Sequence, residues 1–525
     1  MIGRILTVGG FTAASRVTGF IRDIVLAAIL GAGPIADAFF VALRLPNHFR
    51  AIFAEGAFNA AFIPAYARLH TAGSTGAAAR LADRVFSLVL ISQAVLLAVA
   101  LLFTPWVIDL LAPGFARGSE RYDLAVSLTR ITFPYLLLVS LVTLYGGILN
   151  ALGRFASAAA ASILLNVAMV GTLAVAVIFP TPGHAAAWGV FLAGVLEVAL
   201  VGGDAWRQGA LPRWGWPKLD AEVKHFLTRF APATLGSMGT QIALFADTII
   251  ASFLASGALS ALYYADRINQ LPIGVIGIAA GTVLLPEMAN LIAAGNEQGA
   301  RHAQNRTVEL TLLLSIPCFV AFLLVPGAIM QGLFVRGAFT NADAVAAAAT
   351  LAAYSIGLLP FVLIRSMAVT FLSRGDTFTP VKALFFAVLV NVALKVLLFK
   401  SYAQVGLAFA TSVGAWVNVM LLWWFAARPP GGGKLVIFDE RLRRSALKLA
   451  GAGAVLAVAL VAADYALEAL LAGVTKLRAE LRLLGLIIVG GVVYGAAMYA
   501  LFGRAWFATF AARLRKRPPS PVDGE

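Results

Sequence analysis

Four arginines lie in stretches of the chain that are otherwise apolar: Arg16, Arg22, Arg50 and Arg267. A guanidinium group presents pairs of N–H donors in one plane, which match the oxygens of a phosphate group. These arginines outnumber the nearby carboxylates that could neutralise them. The pattern predicts a cavity with excess positive charge that binds an anionic cargo.

Carboxylates accompany the arginines of the first two predicted helices. Charged side chains on these helices would cost about 3 kcal/mol each, and about 20 kcal/mol together, if they faced lipid. They must therefore face a wet cavity or one another. For Asp23, Asp37 and Glu55 we favour a structural role in ion pairs. Arg16 and Asp23 lie seven residues apart on one helix face, and so do Asp37 and Arg44. Arg44 is a weaker binding candidate, because it could also support a neighbouring helix.

A second polar group is predicted in the later half of the chain, where Asp247 lies in one apolar stretch and Asn391, Lys395 and Thr411 lie in two others. Asn391 and Lys395 are four residues apart, on one helix face. A buried ammonium opposite Asp247 would satisfy its carboxylate and repel sodium. The alternative is that Lys395 extends to the outer interface and never meets Asp247.

The composition places all these residues in a membrane protein. Of the 525 residues, 61% are hydrophobic and only 12% are charged. Apolar runs long enough to cross a bilayer recur along the chain, for example at 85–111, 156–179 and 483–501, and about fourteen helical spans are predicted.

The net charge of +15 has two explanations, nucleic-acid binding or the enrichment of Lys and Arg in cytoplasmic loops. With alternating loops, about 25 basic residues fall inside and about 7 outside, which places both termini in the cytoplasm. We therefore expect no nucleic-acid partner. The first apolar stretch carries Arg16, Arg22 and Asp23, so it is not expected to be a cleaved signal peptide.

The sequence contains no phosphate-binding loop, no nucleophile motif and no metal-ligand cluster among its five histidines. Its single cysteine, Cys318, excludes an internal disulfide and a cysteine-based zinc site. We therefore expect neither an enzyme nor a bound cofactor or metal.

The chain repeats itself. FIRDIVLA at 20–27 matches LFADTIIA at 244–251, so Asp23 and Asp247 coincide. Each half contains an even number of predicted spans, which makes the halves parallel repeats with a site expected between them. The predicted fold is an all-α polytopic membrane protein: a six-helix lobe at 1–215, a second at 216–430, two further helices at 431–512 and a disordered basic tail at 513–525.

Several motifs resemble the MurJ/MviN family: SRVTGFIRD at 15–23, ADAFF at 36–40, LPN at 45–47, FAEGAF at 53–58 and YYADR at 263–267. The resemblance extends over the whole chain, and the first seventy residues are its specific part. The family belongs to the superfamily of multidrug, oligosaccharide-lipid and polysaccharide exporters. The sequence departs from the usual family pattern at His48 and Ala51, which flank Arg50.

The resemblance implies fourteen spans, a central cavity for the lipid II headgroup and a groove near the last two spans for its polyprenyl tail. It also implies essential roles for the residues matching the family's arginines, together with three further motif residues: Arg16, Arg22, Arg50 and Arg267, with Asp37, Asn47 and Glu55. Implied partners are lipid II and membrane lipids, with cell-wall synthesis proteins as further candidates. The implied location is the bacterial inner membrane.

These observations predict a lipid II flippase that works by alternating access. Moving two negative charges outward across a negative-inside membrane gains about 4.6 kcal/mol per 100 mV. The alternatives are a flippase for another polyprenyl-pyrophosphate glycan, a cation-coupled exporter, and a membrane enzyme that acts on the same lipid. An exporter would favour carboxylates over arginines, and an enzyme would carry acidic or His-rich outer loops.

Overall fold

A computed structural model describes residues 2–50, 57–72, 75–216, 218–429 and 435–515. Every regular element in these ranges is a helix. Ten helical stretches in them are long and apolar enough to cross a membrane. The predicted all-α polytopic class is therefore confirmed, whereas the count of fourteen spans stays a prediction.

The chain forms two compact units, and the first comprises Met1–Tyr264, Phe334–Asp343 and Val396–Gln404. Its helices are α1 (Ile2–Leu30), α2 (Pro34–Phe49), α3 (Ala57–Thr71), α4 (Thr75–Leu102), α5 (Thr104–Leu111), α6 (Glu120–Thr132), α7 (Pro134–Ala151), α8 (Ala156–Ala174), α9 (Pro182–Arg207) and α10 (Ala221–Ser252). The boundary between the units falls within α11 (Ala258–Pro272).

Local sequence explains where several of these helices begin. The side chains of Ser119, Thr181 and Asp220 each accept a hydrogen bond from the backbone N–H three residues later. Each thereby satisfies one of the donors that a helix start leaves without a partner. Pro34 and Pro182 occupy first-turn positions, where a missing N–H costs nothing.

Within the first unit, α8 packs against α1 and α9, and α2 packs against α6. An aromatic cluster joins α3 to α10, where the ring of Phe226 lies edge-on to Phe58 at 5.6 Å and to Phe62 at 6.2 Å. Of the predicted binding residues, Arg16 and Arg22 lie on α1, and Asp37 and Asn47 lie on α2.

The second unit comprises Ala265–Leu333, Ala344–Lys395 and Val405–Glu525. The remaining helices of the chain are α12 (Ile278–Ala293), α13 (Glu297–Leu324), α14 (Pro326–Phe334), α15 (Asn341–Ser355), α16 (Leu358–Leu372), α17 (Phe378–Ala427), α18 (Glu440–Leu470) and α19 (Arg478–Arg515). The predicted lobe boundaries stay a prediction. Residues 516–525 of the predicted tail lie outside the described residues.

Helix α17 is too long for one membrane crossing. Its 50 residues would extend about 75 Å as a straight helix, against about 30 Å of hydrocarbon. Ala403 has a φ of 45°, which breaks the helix into two segments. By length, α17 therefore supplies two spans.

A polar network attaches the start of α18 to α13 inside the second unit. Arg306 of α13 donates to both carboxylate oxygens of Asp439 at 2.7 Å and also pairs with Glu309. The Ser445 hydroxyl of α18 donates a hydrogen bond to Glu309, which is only 6% exposed. Asp439 additionally accepts the Leu442 N–H at 2.7 Å and so caps α18.

We expect Asp439→Asn to lower the free energy of unfolding by about 1 to 2 kcal/mol, because asparagine can still cap α18 but loses the charged pair with Arg306. Burial raises the pKa of Asp439, but hydrogen bonds from Leu442 and Arg306 outweigh it and hold the pKa below its usual value. The stabilisation is therefore present above the unfolded-state pKa and is lost as the pH falls through the lower folded-state pKa.

Thermal unfolding of the purified protein in detergent, measured at several pH values, checks this expectation. Glu440→Gln is the matched control, since the neighbouring Glu440 side chain is 62% exposed and its surface pairs contribute little. Equal melting temperatures for the two variants would contradict a stabilising role of the Arg306–Asp439 pair.

Candidate functional site

Arg22 of α1 lies inside the first unit and is 8% exposed. Its guanidinium donates to Oδ1 of the adjacent Asp23 at 2.7 and 3.1 Å and to Oδ1 of Asn166 in α8 at 3.0 Å. Three donors in one plane thus engage two acceptors on different helices. A lysine ammonium at this position would lack this fixed planar geometry.

Two neighbours hold this group in place. The Asn166 amide donates back to the Ser15 carbonyl oxygen and to the Thr18 hydroxyl, both at 3.0 Å, which fixes α8 against α1. The Tyr263 hydroxyl donates to Asp23 at 3.3 Å, and the Phe40 ring stacks on Tyr263 with centroids 3.8 Å apart. Arg22 is therefore held in one orientation by its neighbours.

Arg50 follows α2 and interacts electrostatically with Glu197 of α9. Glu197 is 3% exposed and accepts a hydrogen bond from the Tyr135 hydroxyl at 3.4 Å. Gly194 makes room for this tyrosine, because a Cβ atom there would lie 2.8 Å from the Tyr135 ring. Arg50 thus has a buried acidic neighbour from a distant part of the chain.

Asp37 of α2 is fully buried, and both of its oxygens accept hydrogen bonds from the start of α11. The Gly257 N–H donates at 2.8 Å, the Ser260 N–H at 2.9 Å and the Ser260 hydroxyl at 2.6 Å. Arg121 approaches to 3.8 Å. The carboxylate therefore occupies the N-terminus of α11, where the helix dipole favours a negative charge.

The other predicted residues of the first unit are more dispersed. Arg16 is exposed on α1, while Asn47 and Asp247 are half-buried on α2 and α10. Arg44 donates to the Thr248 hydroxyl at 2.8 Å. Glu55 lies outside the described residues.

The partners of the first carboxylates differ from those that seven-residue spacing suggested. Asp23 accepts from its neighbour Arg22, and Asp37 accepts from α11. Seven residues rise about 10.5 Å along a helix, which is too far for direct side-chain pairing.

Four predicted residues belong to the second unit. Arg267 is half-buried on α11, and Asn391, Lys395 and Thr411 lie on α17. Lys395 is 1% exposed, so its ammonium is enclosed by protein and does not extend to an interface. A Cβ atom at Gly414 would lie 2.9 Å from Asn391, so the two segments of α17 pack closely here.

Sequence reasoning did not identify Asn166, Glu197 and Ser260 as site residues. Glu197 and Asn166 carried a usable signal, because each is a polar side chain in a predicted span, and such residues are functional candidates by default. Ser260 carried none, since its role depends on a contact with Asp37, 223 residues away in sequence.

The first unit therefore contains two arginines that interact with an internal acid: Arg22 forms an ion pair with Asp23, and Arg50 interacts electrostatically with Glu197. Such an arrangement can keep guanidinium groups inside an apolar protein while no anion is bound. Among the residues that the structure describes, no group of three His, Cys, Asp or Glu side chains could hold a metal ion.

Comparisons with known proteins point to one family. The family model described as "Lipid II flippase MurJ" matches residues 26–475. A protein of Rhizobium tropici named "Probable lipid II flippase MurJ" is 38% identical over 531 residues, covering 99% of this chain and 98% of its own. A protein of Rhizobium meliloti (strain 1021) with the same name is 39% identical and covers 96% and 94%.

Solved structures share the fold. One described as "Lipid II flippase MurJ, inward closed conformation" superposes with a TM-score of 0.76 at 22% identity, covering 97% of this chain and 99% of that one. An inward-facing multidrug resistance transporter of the MATE family gives 0.66 at 16% identity, covering 78% and 93%. The match to the family model and the full-length relatives confirm the resemblance found in the sequence: the chain belongs to the MurJ family.

Proposed function

We propose that this protein is a lipid II flippase that moves the anionic headgroup from the cytoplasmic to the outer leaflet of the bacterial inner membrane. The observation that carries the proposal is the buried Arg22, oriented by Asn166 and accompanied by Asp23. A guanidinium group that is already fixed in orientation can donate paired hydrogen bonds to a pyrophosphate, which is the charged part of a polyprenyl-linked glycan. The names of the full-length relatives support the same cargo.

The internal acids suggest how the cargo binds. Asp23 and Glu197 balance Arg22 and Arg50 while the site is empty, and the pyrophosphate oxygens replace them when the headgroup enters. Each arginine then exchanges one anionic partner for another and is never left as a bare buried charge, which would cost several kcal/mol. Arg16 and Arg267 complete the proposed set of headgroup ligands, with Asp37, Asn47 and Glu55 as further members.

The contact between α2 and α11 is proposed to close the outer face of the protein while the inner face is open. Asp37, Ser260 and Arg121 meet there, and Arg121 lies in the first turn of α6, at an end of this helix that the distribution of basic residues assigns to the outside. Both termini are then cytoplasmic. Breaking these hydrogen bonds would accompany outward opening in alternating access.

We expect dissipation of the membrane potential, with ATP maintained, to stop translocation and to hold the protein inward-open. About 4.6 kcal/mol per 100 mV favours outward movement of two negative charges, and the emptied cationic site is drawn back inward. A cysteine at Ala261, which is 1% exposed here, reports outward opening once Cys318 is replaced by alanine.

Labelling of that cysteine by an impermeant reagent should fall after depolarisation. Ala116→Cys is the matched control, because Ala116 is already exposed and should label equally in both conditions. Unchanged labelling at 261, together with unchanged flipping, would contradict the electrical account.

We also expect transport to be independent of sodium, because Lys395 is proposed to form an internal ion pair with Asp247 and so to occupy the place of a cation. Lys395→Ala should lower the melting temperature, and a second change, Asp247→Asn, should largely restore it, since it removes the carboxylate left behind. Flipping measured in sodium-free medium is the direct check, and a strong sodium requirement of the wild type would refute this idea.

The proposed activity is tested in cells by depleting the protein while following lipid II in each leaflet. Accumulation confined to the inner leaflet is the expected result. An unchanged distribution between the leaflets would overturn the proposed function.

A further inference from the structure

The second unit contains a cavity that the proposed transport site does not use. It has a volume of about 310 Å³ and lies among α13, α16, α17 and α18. Leu312, Met367, Met420, Trp423 and Ala446 are among the residues that line it. Among the described residues, α19 contributes none of the lining, so this cavity differs from a groove formed by the last two spans.

The walls of the cavity are apolar, with one charged exception. Ten of the eleven lining residues are hydrophobic, and the other is Arg443. Met420 is 57% exposed and Trp423 is 50% exposed, so the cavity opens to the surroundings of the protein. In a membrane-spanning chain these surroundings are lipid, and an apolar chain is the matching occupant.

The position of the cavity along its helices places it near a membrane surface. Its α18 residues belong to the first two turns after Asp439, and its α17 residues lie in the last turns before Ala427. Trp423 is of the type that anchors at such interfaces. The charges around this helix start assign the surface to the cytoplasmic side, where anionic lipids produce a negative potential.

The charge at the opening favours an anionic ligand. The nearby acids are already engaged: Asp439 by Arg306, and Glu440 by Arg444 at 3.0 Å. Arg443 approaches Glu440 only to 3.8 Å, and its side chain is 73% exposed. Its guanidinium can therefore turn toward a phosphate at the mouth of the cavity.

We propose that this cavity binds an anionic membrane phospholipid, with one acyl chain between α13, α16, α17 and α18 and the phosphate at Arg443. The bound lipid fills the gap beside the polar network of Arg306, Glu309 and Ser445, and it stabilises the attachment of α18 to the rest of the second unit. The site is separate from headgroup transport, so it does not depend on the proposed function.

Retention of phosphatidylglycerol by the purified full-length protein tests this site. The protein is delipidated in detergent, dioleoyl-phosphatidylglycerol or dioleoyl-phosphatidylcholine is titrated, and bound lipid is counted by native mass spectrometry beside the melting temperature. The wild type should bind one phosphatidylglycerol about tenfold more tightly than phosphatidylcholine, as expected for one charge-assisted contact. Binding should raise its melting temperature.

Three variants locate the lipid. Arg443→Ala should remove the preference for phosphatidylglycerol, whereas Arg444→Ala should keep it, because Arg444 is equally exposed at 74% but does not line the cavity. Ala446→Leu narrows the cavity and should weaken binding of both lipids. It is a small change that keeps the apolar character of the site.

Equal retention of the two phospholipids by the wild type would overturn the proposal. So would unchanged phosphatidylglycerol binding in both Arg443→Ala and Ala446→Leu. Displacement of phosphatidylglycerol by undecaprenyl phosphate at equal concentration would also overturn it, because the cavity would then belong to the polyprenyl chain of the cargo.

Discussion

Replacing Arg22 with lysine is expected to abolish transport almost as fully as replacing it with alanine. Lysine keeps the charge but cannot donate to Asp23 and Asn166 in one plane, as the guanidinium does. Alanine additionally leaves Asp23 buried beside an empty position, which would cost about 3 to 5 kcal/mol of stability. We expect the same functional loss at Arg16, Arg50 and Arg267, where lysine should also mostly fail.

Complementation of growth, with protein levels measured in parallel, checks this expectation. Arg22→Lys separates function from folding, because it should accumulate normally and still fail to transport. Arg117→Lys is the matched control, since Arg117 pairs with Asp109 at the surface and its side chain is 65% exposed. Normal growth of the Arg22→Lys strain, or of three or more of the four alanine variants, would remove the headgroup-binding role.

Replacing Asp37 with asparagine is expected to produce the second large loss. All the hydrogen-bonding neighbours of Asp37 on α11 are donors: two backbone N–H groups and the Ser260 hydroxyl. An amide has one oxygen fewer, and its NH₂ group would face a donor in a fully buried site. The expected cost is about 3 kcal/mol, with transport lost because α2 and α11 no longer close together.

Ser260→Ala removes only one of these hydrogen bonds and should cost about 1 kcal/mol. Asp343→Asn is the matched control, because Asp343 also accepts a backbone N–H, from Thr340, but Asp343 is only half-buried and this hydrogen bond is exposed. Melting temperatures of the single variants and of the Asp37→Asn, Ser260→Ala double variant measure the coupling between the two residues. Additive effects would mean that the carboxylate and the hydroxyl do not act together.

The sequence determined the class of the fold because the signal is local. Long apolar runs predict membrane-spanning helices residue by residue, and the motif around Arg22 and Asp23 lies on a single helix. The sequence did not predict the position at which α17 breaks. Ala403 is not a glycine, and nothing in the neighbouring sequence indicates a positive φ.

The site could be predicted only in part, since its remaining contacts join distant segments. Glu197 lies 147 positions from Arg50 in sequence, and the amide of Asn166 is 144 positions from Arg22. No helical periodicity relates residues so far apart, and packing of α8 and α9 against the first two helices alone determines these partners. Counting charges along the first helices therefore could not include Glu197.

The central claim is most directly tested with purified protein in proteoliposomes that contain lipid II and carry an imposed membrane potential. An impermeant enzyme that modifies the headgroup measures how much lipid II reaches one face. Vesicles with the wild type should convert the lipid that starts on the opposite face, whereas Arg22→Lys vesicles should leave it protected. Conversion no faster than in protein-free vesicles, by wild-type protein that melts cooperatively, would contradict the account.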